Sequence, residues 1–460
     1  LVGLAIARRS GGRMVSCALC VAVLSVLCAA SALAQAELSE PFFPRSGDIG
    51  FDVSHYDAWI SFHPGSGDIG ATTTIEATTL EPLSRFSLDL DGLHVTRVDV
   101  DAKPTAFARD KGKLTITPAS PLPADTPFTT VVHYGGRPRK IIEPGGSLNG
   151  WLQTNDGAMA VGESVGTPSW LPCNGRLTDK ATFDMHLTVP KDLKGVSNGR
   201  LLHVTRRGLR KTFHWREDQP MDAYLAVIDI GRGRLVRSEI SGIPTWTMVD
   251  PDLAKRWRRA LAAFPGILRF ESKIFGPYPF DAAGSIVDAG NFNNALESQT
   301  RPIYDFPPSR IVIVHEMAHQ WFGDSVGLKH WPDIWLNEGF ATWAEWYYEE
   351  RHGGPSALQT FRYFRHVPTF YTEFWNPPPG NPRKPRNLFA FSVYMRGGMT
   401  LEALRLKIGT KEMLEVLRDW ATEHRYSSAE TSQFIALAEQ VSGQNLHPLF
   451  QHWLFEPGKP

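Results

Sequence analysis

Two stretches decide how this chain is read: Val314-His315-Glu316-Met317-Ala318-His319-Gln320-Trp321 and Trp335-Leu336-Asn337-Glu338-Gly339-Phe340-Ala341-Thr342-Trp343-Ala344-Glu345. His315 and His319 are four residues apart, so on a helix they share one face with Cβ atoms about 6 Å apart. That spacing lets two imidazoles reach one ion at roughly 2.0–2.1 Å. The run H-E-x-x-H is short enough to arise by chance. With eighteen residues between it and His319, however, Glu338 offers a third ligand, completing a two-histidine, one-glutamate set of the kind that holds zinc with a fourth position open. Glu316, between the histidines, is placed to take a proton from water at that position without being a ligand. Glu345 lies seven residues after Glu338, close to two helical turns. It therefore faces the same way and can accept the second ring N–H of a ligand histidine. The expectation is one zinc ion per chain and metal-assisted hydrolysis of an amide.

Around this centre the texture is helical. Leu253, Trp257, Leu261, Phe264 and Leu268 recur at three- and four-residue spacing, which predicts an amphipathic helix bent or broken at Pro265. Helical signals follow at 310–323, 334–351, 394–407, 411–424 and 430–441. The run Asn376-Pro377-Pro378-Pro379-Gly380-Asn381-Pro382 reads as loop or polyproline-like spacer. Before residue 240 the period changes to two. Phe86, Leu88 and Leu90 alternate with Ser87, Asp89 and Asp91, and Phe183, Met185, Leu187 and Val189 with Asp184, His186 and Thr188. Such alternation marks strands with one buried and one wet face. The organisation expected is an all-β domain over 37–243 and a mostly helical α/β domain over 244–460.

The first 36 residues stand apart. Arg8, Arg9 and Arg13 precede an apolar run from Met14 through Leu27, which fades into small residues with Ala-x-Ala patterns ending at Ala34 and Ala36. This is the layout of a secretory signal peptide, cleaved after either alanine; an uncleaved anchor is the alternative. A secreted or periplasmic protein is expected, with no membrane span in the mature chain. The 48 basic and 48 acidic residues balance over the whole chain, so the phosphate-neutralising excess of a nucleic-acid binder is missing. Removing residues 1–36 takes away three arginines and no acid, leaving a net charge of −3. It also leaves Cys173 as the single cysteine, so stability must come from packed side chains and metal rather than from an internal disulfide.

With these residues in view, the sequence resembles the aminopeptidase N-type gluzincin metallopeptidases. The likeness extends to Trp170-Leu171-Pro172-Cys173-Asn174, Asp179-Lys180-Ala181-Thr182-Phe183, Phe275-Gly276-Pro277-Tyr278-Pro279-Phe280 and Gln451-His452-Trp453-Leu454. The resemblance implies a saddle-like N-terminal β domain, a thermolysin-like catalytic domain and release of single residues from peptide N-termini. It also implies that Glu297, in Asn294-Ala295-Leu296-Glu297-Ser298, binds the substrate's α-amine, although Asn294 and Ser298 replace the usual glycine and asparagine. Tyr394, in Val393-Tyr394-Met395-Arg396, matches the tyrosine that donates to the tetrahedral oxyanion, and Glu163 matches an N-terminal-domain Gln/Glu that helps cradle the amine. Gly175 stands where an aspartate is common. Larger relatives continue into a helical C-terminal domain that roofs the cleft, so a short form with a more open cleft is expected here.

Two other readings share these residues. One is a zinc endopeptidase with the same catalytic motif; the other is a catalytically silent binding protein on the same scaffold. Peptides with a free N-terminus are the expected substrates of the leading reading. The preferred first residue and the oligomeric state are not legible.

Overall fold

The structure, a computed structural model, describes residues 40–460 apart from 252, 254–256, 258–259 and 291–293. The export segment over 1–36 therefore lies outside the described residues. Among the described residues no helix is long and apolar enough to cross a membrane.

The N-terminal half is built on an eight-stranded sheet. Its order is Arg200–Arg207, Arg210–Met221, Ala181–Pro190, Phe51–His63, Asp68–Thr79, Pro127–Gly136, His94–Val100 and Lys103–Pro104. Neighbours run antiparallel except Phe51–His63 and Ala181–Pro190, which pair in parallel with Asp57 opposite Asp184 and Trp59 opposite His186. A bulge between Val53 and His55 shifts the phase of the first strand. Phe51 and Val53 are buried before it, and Tyr56, Ala58, Ile60 and Phe62 after it, so one face stays apolar along the whole strand. A second, five-stranded sheet (Lys194–Ser197, Ile228–Gly231, Ala158–Val161, Leu148–Gln153, Lys140–Ile142) is antiparallel. Ala158–Val161 and Ile228–Gly231 are buried throughout, as suits strands covered on both sides.

A third sheet joins the two halves. Its order is Arg234–Ile240, Ile243–Val249, Ala283–Val287, Ile303–Tyr304 and Ala295–Leu296. Arg234–Ile240 precedes residue 243 in the chain yet pairs with the strand that follows it. The fully buried Arg301 guanidinium ties this sheet to the β half: it donates to the carbonyls of Ser197 (3.2 Å) and Gly199 on one side and of Trp246 (3.2 Å) and Ala283 (2.6 Å) on the other. Gly175 is explained by its neighbours, since a Cβ there would meet Asp89 Oδ2 at 2.6 Å. That carboxylate already accepts from Gly47 N and Gly175 N and pairs with Lys113.

The catalytic half is mainly helical: α1 (Phe264–Phe275), α2 (Arg310–Ala318), α3 (Trp335–Arg351), α4 (Ala357–Arg365), α5 (Thr372–Trp375), α6 (Phe391–Ile408), α7 (Thr410–Glu423), α8 (Thr431–Ser442) and α9 (His447–Phe450). Trp257, Ala260 and Leu261 are helical, a turn at Ala262 and Ala263 interrupts them, and α1 follows with Pro265 in its first turn, so the break expected at Pro265 is present and the proline stands where its missing N–H costs nothing. The helix expected over 310–323 ends at Ala318 and gives way to turns that include Gly323 with φ of +136°. Helices α4 and α5 were not expected; Ser356 and Gln359 form a capping box at the start of α4. The proline-rich run from Pro377 is loop and contacts the C-terminal turn through Gly380 N to Leu454 O.

One close approach sets the site. A Cβ on Gly339 of α3 would fall 2.9 Å from Gly397 Cα of α6, so the two helices cross backbone to backbone. Only glycines permit this. Glu338 and Tyr394, beside the crossing, are thereby brought to one cavity.

Candidate active site

Helix α2 is capped by Ser309, whose Oγ accepts Val312 N at 3.3 Å, and carries His315 and Glu316 in its last turn. His319 caps its C-terminus in a helical conformation, so both histidines still share a face. His315 Nε2 lies 3.2 Å and His319 Nε2 3.5 Å from Glu338 Oε2, and one ligand atom from each of the three residues falls within 4.8 Å of the others. Their outer nitrogens are occupied: His315 Nδ1 donates to Glu345 Oε1 at 2.7 Å and His319 Nδ1 to Phe322 O at 3.1 Å. Both Nε2 atoms are therefore left facing Glu338. Two inward imidazole nitrogens and a carboxylate oxygen, each backed by a hydrogen bond, suit a zinc ion.

The electrostatics point the same way. Burial disfavours a charged His315, but its hydrogen bonds to Glu338 and Glu345 outweigh this and hold the imidazole well above its ordinary range. Burial likewise opposes ionisation of Glu338, yet His319 and His315 hold it at about 2. The carboxylates of Glu338 and Glu345 around the two imidazoles therefore favour positive charge at this point, as a bound cation would supply.

The remaining residues singled out in the sequence line the same cavity of ≈ 100 Å³: Glu163, Glu297, Glu316 and Tyr394. Burial pushes Glu316 up to about 8, with Glu297 and Glu338 adding to it against the pull of both imidazoles. Tyr394 is half-buried, its ring stacked 6.0 Å from that of His315. Glu163 enters two residues after the strand Ala158–Val161, and Glu297 follows the edge strand Ala295–Leu296. One oxygen each from Glu163, Glu297 and Glu338 lies within 4.8 Å of the others. Oε1 of both Glu163 and Glu297 is buried without a hydrogen-bond partner. Burial raises both carboxyls, and their mutual repulsion raises Glu163 further. This is a desolvated carboxyl pocket beside the metal ligands, in which a cationic group would favour the ionised forms.

Reading the sequence missed the groups that aim these carboxylates. Gln320, fully buried, donates from Nε2 to Glu297 O (2.8 Å) and accepts Thr300 N (2.8 Å) and Tyr278 O–H (3.3 Å) at Oε1. It thus ties the Glu297 loop to the end of the metal-binding segment; its one signal was its place directly after His319. Glu143 accepts Ser164 N, Ser164 Oγ and Val165 N and so fixes the turn behind Glu163; no pattern in the sequence marks it. Phe389, Leu148 and Asn149 complete the wall. Gln320→Leu is expected to raise KM for free-amine peptides by roughly 10-fold, the worth of one or two hydrogen bonds, with zinc content unchanged. Steady-state kinetics and elemental analysis check this, and an unaltered KM would show that the loop holds itself.

Comparison with known proteins agrees with this geometry. The model of the peptidase family M1 domain matches residues 295–453. Leucyl aminopeptidase of Saccharolobus solfataricus is 24% identical over 89% of this chain and 54% of its own length. Probable aminopeptidase 2 of Sulfurisphaera tokodaii is 26% identical over 65% of this chain and 41% of its own. The chain thus spans about half the length of the curated relatives it matches. The M1 zinc metallopeptidase of Deinococcus radiodurans superposes with a TM-score of 0.84 at 26% identity, covering 92% of this chain and 97% of that one. A mutant of that enzyme, bound to the substrate Tyr-Ser-Ala, gives 0.83 over 92% and 98%. Residues 295–453 thus match the M1 peptidase domain, and over 92% of its length the chain is similar to M1 zinc metallopeptidase structures with the same β half and helical catalytic half.

Proposed function

We propose that the protein is a zinc-dependent aminopeptidase that removes the first residue from peptides. The observation that carries this reading is the pair of buried, unpartnered carboxylate oxygens of Glu163 and Glu297 beside the ligand Glu338. A buried negative pair stabilises a bound ammonium, and its short reach to the metal ligands suits a scissile bond one residue from that amine.

His315, His319 and Glu338 would hold one zinc ion at this site, which when bound supplies Lewis-acid polarisation of the carbonyl and acidification of water. Glu316 takes the proton of the attacking water and passes it to the leaving amine. The Tyr394 hydroxyl donates to the oxygen on which charge develops. Glu345 keeps the His315 ring oriented through Nδ1. The export signal read over residues 1–36 assigns this activity to the periplasm or the exterior of the cell.

Hydrolysis of single-residue aminoacyl reporters tests the proposal. The zinc-loaded protein is expected to cleave at least part of such a panel, to stop when a chelator is added and to recover with zinc. A zinc-loaded, folded protein that cleaves none of them would leave the endopeptidase and silent binding readings in its place.

A further inference from the structure

The eight-stranded sheet carries a second group of metal-type ligands on its outer face. Asp184 and His186 are two apart on Ala181–Pro190 and so point the same way. His186 stands opposite His214 of Arg210–Met221, and Asp57 of the parallel neighbour stands opposite Asp184. One ligand atom each from Asp184, His186 and His214 lies within 4.8 Å of the other two.

We propose that Asp184, His186 and His214 form a second transition-metal site of the zinc class, separate from the catalytic one, which staples adjacent strands of the β domain. The donor set is again two imidazoles and a carboxylate, a combination that selects zinc and its neighbours over calcium or magnesium.

Three features make this more than a surface ion-pair ladder. Two of its members are shielded: Asp184 and His186 are each 8% exposed, while His214 and Asp57 reach toward solvent. It is walled by rings, since Trp59 lies flat on His186 (3.8 Å, 3°) and His203 stands edge-on to His214 (4.9 Å, 85°). Its ligands are also supported from behind. His55 Nε2 sits 3.3 Å from Asp184 Oδ2 while its Nδ1 is 2.7 Å from Thr182 Oγ1, which turns the carboxylate toward His214 Nε2, its hydrogen-bond partner. Two polar atoms there are buried with no hydrogen bond: His214 Nδ1 and Asp57 Oδ1. Asp57 Oδ1 lies 3.3 Å from His186 Nε2 and is the natural fourth donor.

The charges around the group favour a dication. Asp184 and Asp57 face it, opposed by the Arg216 guanidinium 3.6 Å from Asp184 Oδ2. Metal entry displaces the proton held between His214 and Asp184 and requires the stacked His186 and His214 rings, 4.0 Å apart and already 23° from parallel, to open further so that both lone pairs meet one ion. The physical gain is a cross-strand staple in a domain whose described cysteine is free.

The test uses His319→Ala as background, so that the catalytic set is broken. This variant is equilibrated with Zn²⁺, freed of unbound ion by gel filtration and analysed for metal. It is expected to retain one equivalent and to unfold at a higher temperature with zinc than without. Adding His186→Gln and His214→Gln to it is expected to remove both the equivalent and the zinc-dependent shift. His214→Gln alone, which keeps the strand pairing, carries the same readout should the combined variant fail to fold. In the otherwise wild-type chain the two glutamines are expected to leave kcat unchanged. No zinc in His319→Ala, or an equivalent that survives both glutamines, would overturn the proposal.

Discussion

Glu316→Gln is expected to keep its zinc and lose turnover by roughly 10³- to 10⁴-fold, the upper range for removing a general base. The two parts of this result have separate causes. Zinc is retained because the converging ligand atoms belong to His315, His319 and Glu338, and Glu316 is not among them. Turnover falls because the amide keeps the shape of the carboxylate and can still hold water, but cannot accept a proton. The site makes the loss large, since Glu316 is 6% exposed and its basicity is raised by burial and by Glu297 and Glu338. Bulk water has little access to replace it. Elemental analysis and kcat on a free-amine peptide read the two parts independently. Full activity would remove Glu316 as the base, and zinc lost in step with activity would make it a ligand instead.

The contrast between this residue and Gln320 shows where sequence reading reaches its limit. His315, Glu316 and His319 on one helix, and Glu338 and Glu345 on the next, are legible because helical period groups each set on one face; the structure adds that the two faces meet and that His319 caps its helix rather than lying inside it. Glu163 and Glu297 lie far apart in the chain and arrive from two different sheets. No local pattern links them, so only the family likeness suggested that they meet. Gln320 and Glu143 act through backbone groups of distant loops. Their roles depend on which loop passes by, and that is a property of the assembled sheets. The two-period and 3.6-period textures did separate a β half from a helical half, because burial on one face is a local demand. The glycine crossing that joins Glu338 to Tyr394 needed both helices in place before either glycine had meaning.

Glu297→Gln is expected to lower kcat/KM on a free-amine peptide by roughly 10³-fold, within the range for losing one partner of a buried charge pair, while leaving the slow cleavage of the N-acetylated peptide unchanged. Glu297 is 3% exposed, its Oε1 has no hydrogen-bond partner and its main-chain carbonyl is fixed by Gln320. The carboxylate is therefore held ready at a desolvation cost that a bound ammonium offsets. An acetyl group removes that charge, so the wild type should strongly prefer the free amine, and the preference should collapse in the variant. Glu163 shares the pocket, and its oxygen lies within 4.8 Å of the Glu297 and Glu338 oxygens. Glu163→Gln is accordingly expected to be non-additive with Glu297→Gln, as for any two groups that hold one ligand. Equal cleavage of the free and acetylated peptides by the wild type would dismiss both carboxylates as amine anchors. It would turn the reading to an endopeptidase, in which the pair needs another cation to justify its burial.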